Sequence, residues 1–297
     1  NQIIFIGEQN ILAQARIAGG YYTNVDAFLQ DELEFEDTAI LFKGSRNVNL
    51  ERLVQHYAFK KHVTQLEVNL TAMRHNLNFF RSHITDDVMV LAMVKAQSYG
   101  TGLIDTARFL AQEGVNYLGV AYADEGVILR KAGIQLPIIV MNPEESAFEE
   151  IIDYDLEPSI YSTAILNSFI HALILKQQNN FPIHIKMDTG MNRLGFEADH
   201  LNELISMLNT QPEVYVKSSF SHLASADEAD QSTFTFEQMR NFEIMTGKLK
   251  DAIGYSFIRH IANSAAIINY HHSHFDMVRV GIGLYGLLKN QPPLENV

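Results

Sequence analysis

The chain has 297 residues, of which 47% are apolar, and its 35 acidic side chains outnumber its 22 lysines and arginines, giving a net charge of −13. An acidic chain without lysine- or arginine-rich runs does not suit nucleic acid or anionic membranes as partners. It has no cysteine and no apolar run of membrane-spanning length, and NQIIFIGEQ does not read as a signal peptide, so we expect a cytoplasmic protein without disulfides.

Residues 1–62 predict a partial α/β segment. It begins with a short strand, IIFIG (3–7), followed by a helix-like stretch to about Leu33. The run DTAILFKGSRNVNLERLVQHY (37–57) then predicts a strand, a Gly-Ser turn and a helix. Such a segment is too small to bury a good core alone.

The next segment, TQLEVNL (64–70), predicts another strand. Its Asn69 is placed to cap the helix predicted for TAMRHNLNFFRSHI (71–84).

From residue 88 onward, β-branched apolar runs alternate with amphipathic helical patterns such as GLIDTARFLAQEG (102–114). Alternation of this kind predicts a parallel sheet, and eight runs within about 200 residues predict a closed (β/α)8 TIM-type barrel. An open, doubly wound sheet is the alternative. The predicted strands lie in 88–96, 117–123, 137–142, 157–162, 181–189, 214–223, 257–265 and 276–286.

The active site of such a barrel lies at the carboxyl ends of its strands. The residues at or just after the predicted strand ends form a set of candidate site residues with polar side chains or backbone N–H groups: Lys95, Tyr99, Arg193, His222, Asn263, Ser264, Arg279, Gly281 and Ile282. Lys95 follows the apolar run LAMV, and burial there would make it a nucleophilic amine. Each member also has a plain structural interpretation: a solvated lysine, a core histidine, or an arginine in a loop salt bridge.

The spacing Gly281-x-Gly283-x-x-Gly286 matches a dinucleotide-binding loop. However, the chain continues LLKNQPPLENV, where prolines replace the helix that such a loop requires. We expect instead that free N–H groups beside Gly281 and Ser264 bind a phosphate, next to an inward-facing Arg279. The cluster HHSH (271–274) precedes the last strand, at the opposite end of the barrel, and no metal is expected there.

Five motifs resemble those of alanine racemases, in the family's order: MVKAQSYGTG (93–102), KMDTGMNRLGF (186–196), SFSHLASADE (219–228), HIANSAA (260–266) and DMVRVGIGLYG (276–286). The resemblance covers about residues 64–288. It implies a (β/α)8 barrel that binds pyridoxal 5′-phosphate and interconverts L- and D-alanine.

The resemblance also implies roles for the polar set. Lys95 would hold the cofactor covalently and move the substrate α-proton on one face. The phosphate would be bound by Tyr99, Ser264 and the amides of Gly281 and Ile282, with Asn263 beside them. His222 would lie against the ring, Arg279 would donate to the ring nitrogen, and Arg193 would orient the substrate carboxylate. Lys186 matches a lysine that is carbamylated in many family members.

The implied organisation is a fragment of a fusion. Residues 37–57 resemble the end of the Mur ligase that adds D-alanyl-D-alanine to UDP-N-acetylmuramoyl-tripeptide, a cell-wall precursor. Residues 1–62 are then the ligase remnant, 63–288 the racemase barrel, and 289–297 the start of a linker to a C-terminal β-domain. In the family that domain supplies a second base across a homodimer, so this chain alone is expected to be poorly active.

Two alternatives stay open. The chain could be a pyridoxal-phosphate barrel without turnover, either a cofactor carrier or a dimerising module of a Mur ligase. It could also be a pyridoxal-phosphate-dependent decarboxylase, although decarboxylases normally set a carboxylate against the ring nitrogen, where this chain has Arg279.

Overall fold

The structure is a computed structural model that describes residues 3–7, 20–31, 33, 35, 38–43, 48, 50–57, 66–288 and 294–297. The chain divides into two compact units, Asn1–Gln65 and Leu66–Val297. No helix in the described ranges is both long enough and apolar enough to span a membrane.

The first unit contains a small parallel sheet of β1 (Ile4–Ile6) and β2 (Gly20–Tyr22), with helices α1 (Val25–Leu29) and α2 (Glu51–Tyr57). Its core is formed by Val25, Phe28 and Leu53.

The predictions for the first unit were partly right. The strand at 3–7 and the helix near 51–57 are confirmed. The helix expected up to Leu33 was wrong at 20–22, which pair with β1 as a strand, and its residues 8–19 lie outside the described residues. The strand expected in TAILF was also wrong, because residues 38–43 are irregular.

The second unit is a barrel of eight parallel strands, each inside one of the predicted runs. They are β3 (Met89–Met93), β4 (Tyr117–Val120), β5 (Ile138–Val140), β6 (Glu157–Ile160), β7 (Phe181–Lys186), β8 (Val214–Phe220), β9 (Ile258–His260) and β10 (Met277–Val280).

Strand order decides between the two predicted architectures. The strands pair in chain order from β3 to β9, and β10 pairs with β3. The two remaining edges, β9 and β10, are joined by backbone bonds from Asp276 N to Arg259 O and from Arg279 N to Ala262 O, both 3.1 Å. The sheet therefore closes on itself, and the open doubly wound alternative was wrong.

Helices cover the barrel: the first precedes the first barrel strand, and the others follow strands. They are α3 (Leu70–Arg81), α5 (Leu103–Gln112), α6 (Ala123–Lys131), α7 (Phe148–Asp153), α8 (Thr163–Leu175), α9 (Leu201–Leu208), α10 (Ser232–Ile253) and α11 (Ser264–Asn269). Between α3 and α5 lies a single helical turn, α4 (Lys95–Tyr99).

Helix α3 begins where its sequence predicts. The Asn69 side chain accepts from the backbone N–H groups of Thr71 and Ala72, at 3.0 and 3.1 Å. The strand predicted at 64–70 was wrong, because 66–69 are irregular and lead into this cap, whereas 64 and 65 lie outside the described residues. With eight strands already closing the barrel, no edge remains for a ninth to pair with.

Side chains that alternate along each strand face either the surrounding helices or the interior of the barrel. Val90 and Ala92 of β3 pack toward the helices, whereas Leu91 and Met93 join a cluster inside the barrel with Tyr117 and other apolar residues. The other part of the interior is polar, which is unusual for a barrel core. Buried polar side chains from β7 to β10 fill it: His184, Ser218, His260 and Arg279.

Candidate active site

A cavity of about 550 Å³ opens at the carboxyl ends of the strands. Every residue predicted from the sequence for the site lines this cavity. The cavity is also lined by further residues, which are described below. The predicted residues are Lys95, Tyr99, Lys186, Arg193, His222, Asn263, Ser264, Arg279, Gly281 and Ile282.

Lys95 lies two residues after the buried end of β3, at the start of a left-handed turn. Residues Ala96 to Tyr99 all have φ between 53° and 55°, a conformation that costs a non-glycine residue about 1–2 kcal/mol. The buried carboxylate of Glu125 accepts the Gln97 N–H at 3.2 Å and helps to hold the turn. The expected burial of Lys95 was wrong: its side chain is exposed at the cavity, because the turn carries it beyond the strand.

Tyr99 presents a neutral phenol to the cavity. Burial raises its pKa to about 12, and its ring packs 4.8 Å from that of Tyr285. A Cβ placed on Gly281 would lie 3.4 Å from the Tyr99 hydroxyl, so glycine leaves this approach open. The hydroxyl is therefore a donor close to the backbone of the last strand.

Ser264 and Gly281 meet at the same point, but not as expected. The Gly281 N–H is not free, because it donates to Ser264 Oγ at 2.8 Å. This leaves the Ser264 hydroxyl hydrogen as the donor that the pair can offer. Gly283 allows the close packing beneath, since a Cβ there would lie 2.5 Å from the Phe80 ring.

Asn263 lines the cavity with both ends of its side chain already bonded. Its oxygen caps α11 through the Ala266 N–H at 3.0 Å, and its amide donates to Leu223 O at 3.2 Å. In this structure it fixes the helix that begins at Ser264.

Arg279 is buried, and it points from β10 into the barrel. Nη1 donates to His260 Nδ1 and His260 O, at 2.8 and 3.1 Å, and Nη2 donates to Ser221 O and Ile261 O, at 2.6 and 3.0 Å. Within the described part of the chain no acceptor is bonded to Nε, so the Nε–H is the donor left for the cavity. Burial without a carboxylate partner lowers the pKa of Arg279 to about 9.

His222 is a neutral imidazole beside this arginine. Its pKa falls to about 3, first because burial penalises the charged ring and then because Arg279 and Arg193 repel a further proton. The distance from His222 Nδ1 to Arg279 Nη2 is 3.5 Å.

Arg193 is exposed at the cavity, on the loop after β7. The Asp188 carboxylate shapes that loop by accepting the backbone N–H groups of Gly190, Asn192 and Arg193, at 2.9, 3.1 and 3.0 Å. No ion pair of the Arg193 side chain is present among the described residues, so the loop salt bridge considered from the sequence is not seen there.

Lys186, the last residue of β7, is half-buried in the wall. Its pKa is lowered to about 8, mainly by burial and then by the charges of Arg193 and Arg279. A substantial share of this amine is therefore neutral near neutral pH.

The electrostatics of the cavity oppose those of the chain. Four basic side chains line it, Lys95, Lys186, Arg193 and Arg279, with Asp227 as their acidic neighbour. A concentration of positive charge in a concave, partly buried site favours anionic ligands such as phosphates and carboxylates. The excess of acidic over basic side chains in the sequence therefore comes from residues outside the cavity.

Sequence reasoning missed several residues of the wall. Asn142 and Met141 follow β5, and Asp227 and Met191 come from loops. Asn142 ends the predicted run PIIVMN, so the rule that selected the other strand ends could also have found it. His260, which accepts a hydrogen bond from Arg279, is the last residue of β9. No pattern in the sequence around it indicated that it would lie beside the site.

The histidines of HHSH lie outside the cavity lining. They form a 3-10 turn at His271–Ser273, and His274 Nε2 bonds Ile267 O at 2.9 Å.

Comparison with known proteins gives one family. Residues 68–289 match the family model described as "Alanine racemase, N-terminal domain". Curated relatives include alanine racemase 1 of Oceanobacillus iheyensis, 38% identical over 229 residues, which cover 76% of this chain and 60% of that protein. The alanine racemase of Syntrophobacter fumaroxidans is 37% identical over 77% of this chain and 60% of its own length.

Solved structures agree. Alanine racemase from Clostridium difficile 630 superposes with a TM-score of 0.71 at 32% identity, over 76% of this chain and 61% of that chain. Alanine racemase from Bacillus anthracis with bound L-Ala-P gives 0.70 at 29% identity, over 77% and 61%. The chain thus spans about three fifths of the length of the relatives it matches.

Proposed function

The chain belongs to the alanine racemase family, and from this premise we propose that the complete protein interconverts L-alanine and D-alanine with pyridoxal 5′-phosphate as its cofactor. One observation carries the proposal. A single cationic cavity brings together a lysine amine, a buried arginine donor and the hydroxyl donors beside Gly281. These are the groups needed for an aldehyde, a ring nitrogen and a phosphate.

The donors near Gly281 fit the phosphate of this cofactor. The Ser264 hydroxyl has accepted the Gly281 N–H and can donate onward. The Tyr99 phenol stays protonated, because its pKa is about 12. The Ile282 N–H heads a 3-10 turn, where it lacks an intrahelical acceptor. Glycine at 281 keeps this wall open to a bulky anion.

Arg279 fits the ring nitrogen. Its four Nη hydrogens are taken by protein acceptors, and the Nε–H is left to donate. Neutral His222 beside it suits contact with the ring, because it adds no charge there. The chemistry that the bound cofactor supplies is withdrawal of electron density from the substrate α-carbon, which eases removal of the α-proton.

Lys95 is placed to perform two tasks. Its amine, exposed at the cavity, would hold the cofactor aldehyde, and would later take or return the α-proton on one face of the substrate. Racemisation also needs an acid–base group on the other face. We place that group in the part of the relatives' length that this chain does not match.

Arg193 and Lys186 would orient the substrate carboxylate. Arg193 is held by the Asp188 loop with its side chain at the cavity. The neutral form of the Lys186 amine can add carbon dioxide and release a proton to solvent, which gives a carbamate whose carboxylate would then align Arg193.

Alpha-proton exchange tests the proposal. The full chain with cofactor is incubated with L- or D-alanine in deuterated water, and proton NMR follows the α-position. We expect Lys95-dependent exchange of one enantiomer, abolished by Lys95→Ala and retained by Lys248→Ala, a change at an exposed lysine of α10. Release of carbon dioxide would instead indicate a decarboxylase. No exchange despite bound cofactor would indicate a carrier or a dimerising module.

For the larger protein, we propose the organisation implied by the motifs. Residues 1–62 would end a Mur ligase, 63–288 would form the racemase barrel, and 289–297 would lead to a β-domain. The support is that the family match begins only at residue 68 and that 37–57 resemble the ligase. Such a cytoplasmic, homodimeric fusion would make D-alanine for cell-wall precursors. Ligation of D-alanyl-D-alanine by the complete protein would test it.

A further inference from the structure

Five successive strands of the barrel, β6 to β10, each contribute one side chain to a continuous path of hydrogen bonds, here called the relay. Arg279 Nη1 lies 2.8 Å from His260 Nδ1, and His260 Nε2 lies 3.0 Å from Ser218 Oγ. Ser218 Oγ lies 2.5 Å from His184 Nδ1, and His184 Nε2 lies 2.7 Å from Glu157 Oε2. The relay therefore joins the arginine of the cavity to a carboxylate at the start of β6.

The chemistry of the two ends gives the relay a direction. A guanidinium only donates, and a carboxylate only accepts. His260 must therefore accept at Nδ1 and donate from Nε2, and His184 must donate from Nε2 and accept at Nδ1. Ser218 then accepts from His260 and donates to His184. Among the described residues Ser218 Oγ bonds only these two rings, and this is the arrangement in which every hydrogen has an acceptor.

Burial makes this direction matter. His184, Ser218 and His260 are all 0% exposed, so no water replaces a lost partner. The His260 ring is also stacked on Phe220, with centroids 5.0 Å apart and planes 12° apart, and Arg279 lies 5.5 Å from the same Phe220 ring. The ring is thus fixed in place, and only its protons can rearrange.

We propose that Glu157 is a positioning residue for Arg279 and acts through the relay. Its oxygen holds the proton of His184 on Nε2, which directs the Ser218 hydrogen to His184 and keeps His260 Nδ1 an acceptor. If the Ser218 hydrogen turned to His260 Nε2, the proton of His260 would move to Nδ1 and face the Nη1–H of Arg279. The guanidinium would then shift, and its Nε–H would no longer point into the cavity.

The relay itself is tested in the full chain without cofactor, by nitrogen-15 NMR of labelled histidines. We expect both His184 and His260 to be neutral with the proton on Nε2. Ser218→Ala should disturb both signals. Ser219→Ala is the matched control, because Ser219 is the next residue, equally buried, and its hydroxyl has no hydrogen-bond partner among the described residues. A proton on Nδ1 of His260 in the unmodified chain, or identical effects of the two serine changes, would overturn the relay.

The effect of Glu157 on Arg279 is measured through bound pyridoxal 5′-phosphate, so this part of the test rests on the proposed function. Glu157→Gln keeps an acceptor oxygen, whereas Glu157→Leu removes it. We expect the Leu variant to shift the absorption maximum of bound pyridoxal 5′-phosphate and to weaken its binding on the order of 10-fold, the effect of one unpaired buried group. The Gln variant should keep the original spectrum.

The two variants separate positioning from stability. Thermal unfolding of the cofactor-free proteins shows whether each is folded. A folded Leu variant with an unchanged spectrum and affinity, or a Gln variant as impaired as Leu, would overturn the role of Glu157. If the unmodified chain bound no cofactor, the proposed function would fail, and the NMR result would still decide whether the relay exists.

Discussion

Lys186 provides a sharp quantitative test of the cavity's electrostatics. We predict that it reacts with carbon dioxide at neutral pH, whereas exposed lysines of the same chain do not. The reason is that only a neutral amine is nucleophilic. Burial, followed by the charges of Arg193 and Arg279, lowers the pKa of Lys186 to about 8.

The magnitude follows from the shift. At pH 7 a lysine with the ordinary pKa of 10.5 is neutral in about 0.03% of molecules, whereas a pKa of about 8 gives about 10%, since each unit is tenfold. Lys186 should thus be roughly 300 times richer in the reactive form. Carbamate should increase as pH rises through 8, where half of the amine is neutral, and should level off about one unit higher, where the amine is mostly neutral. Arg193→Ala should reduce it, since removing this cation raises the pKa of Lys186.

The assay is carbon-13 NMR of the chain equilibrated with labelled bicarbonate. A carbamate signal should be present in the unmodified protein, absent from Lys186→Arg, and unchanged in Lys248→Arg, where an exposed lysine is replaced. If the signal survives Lys186→Arg, or if Arg193→Ala increases it, the electrostatic reasoning is wrong.

Three further predictions follow from the same cavity. Borohydride reduction of the cofactor-loaded chain should label Lys95 on peptide mapping, and a label confined to another lysine would contradict its role. As pH falls from 6.5 toward 3, His222 takes up a proton in the unfolded chain but not in the folded one, so the free energy of unfolding should drop by up to about 5 kcal/mol, from about 3.5 pKa units at about 1.4 kcal/mol each. Urea melts of His222→Gln should lack that drop. Arg279→Met removes a donor from three backbone carbonyl oxygens, and since His260 O still accepts the Ser221 N–H, the other two at about 1 kcal/mol each should cost roughly 2 kcal/mol in the same melts; a neutral result would contradict the bonding described.

The barrel was predictable because its signal is repeated. Its strands lie in eight β-branched, largely apolar runs that alternate with helical patterns, and a barrel closed by eight strands leaves each strand little choice of neighbour. Local patterns were weaker guides elsewhere. Gly20–Tyr22 is too short for a periodicity to establish, and its pairing with β1 is a contact between distant residues that the local sequence does not encode.

The site was predictable in position but less so in detail. Strand ends converge in any such barrel, so listing their polar residues located the cavity. Hydrogen bonding inside it depends on side-chain geometry, which explains two errors. The Gly281 N–H was expected to be free and bonds Ser264, and Lys95 was expected to be buried and is carried outward by a left-handed turn. The polar residues of the relay were hidden, because histidine or serine in an apolar strand gives no sign of its partner on the next strand.

Arg279 connects this geometry to the choice of reaction. Even with a pKa lowered to about 9, it is protonated in about 99% of molecules at pH 7, so it can donate to a ring nitrogen but not accept from it. Arg193 adds positive potential at the same cavity, which further disfavours a proton on that nitrogen. An unprotonated ring withdraws electrons less strongly, enough to ease loss of an α-proton but less suited to paths that demand a stronger sink, such as decarboxylation. If the complete protein has the proposed activity, Arg279 and Arg193, whose charges together with burial lower the pKa of Lys186, would favour loss of an α-proton over decarboxylation.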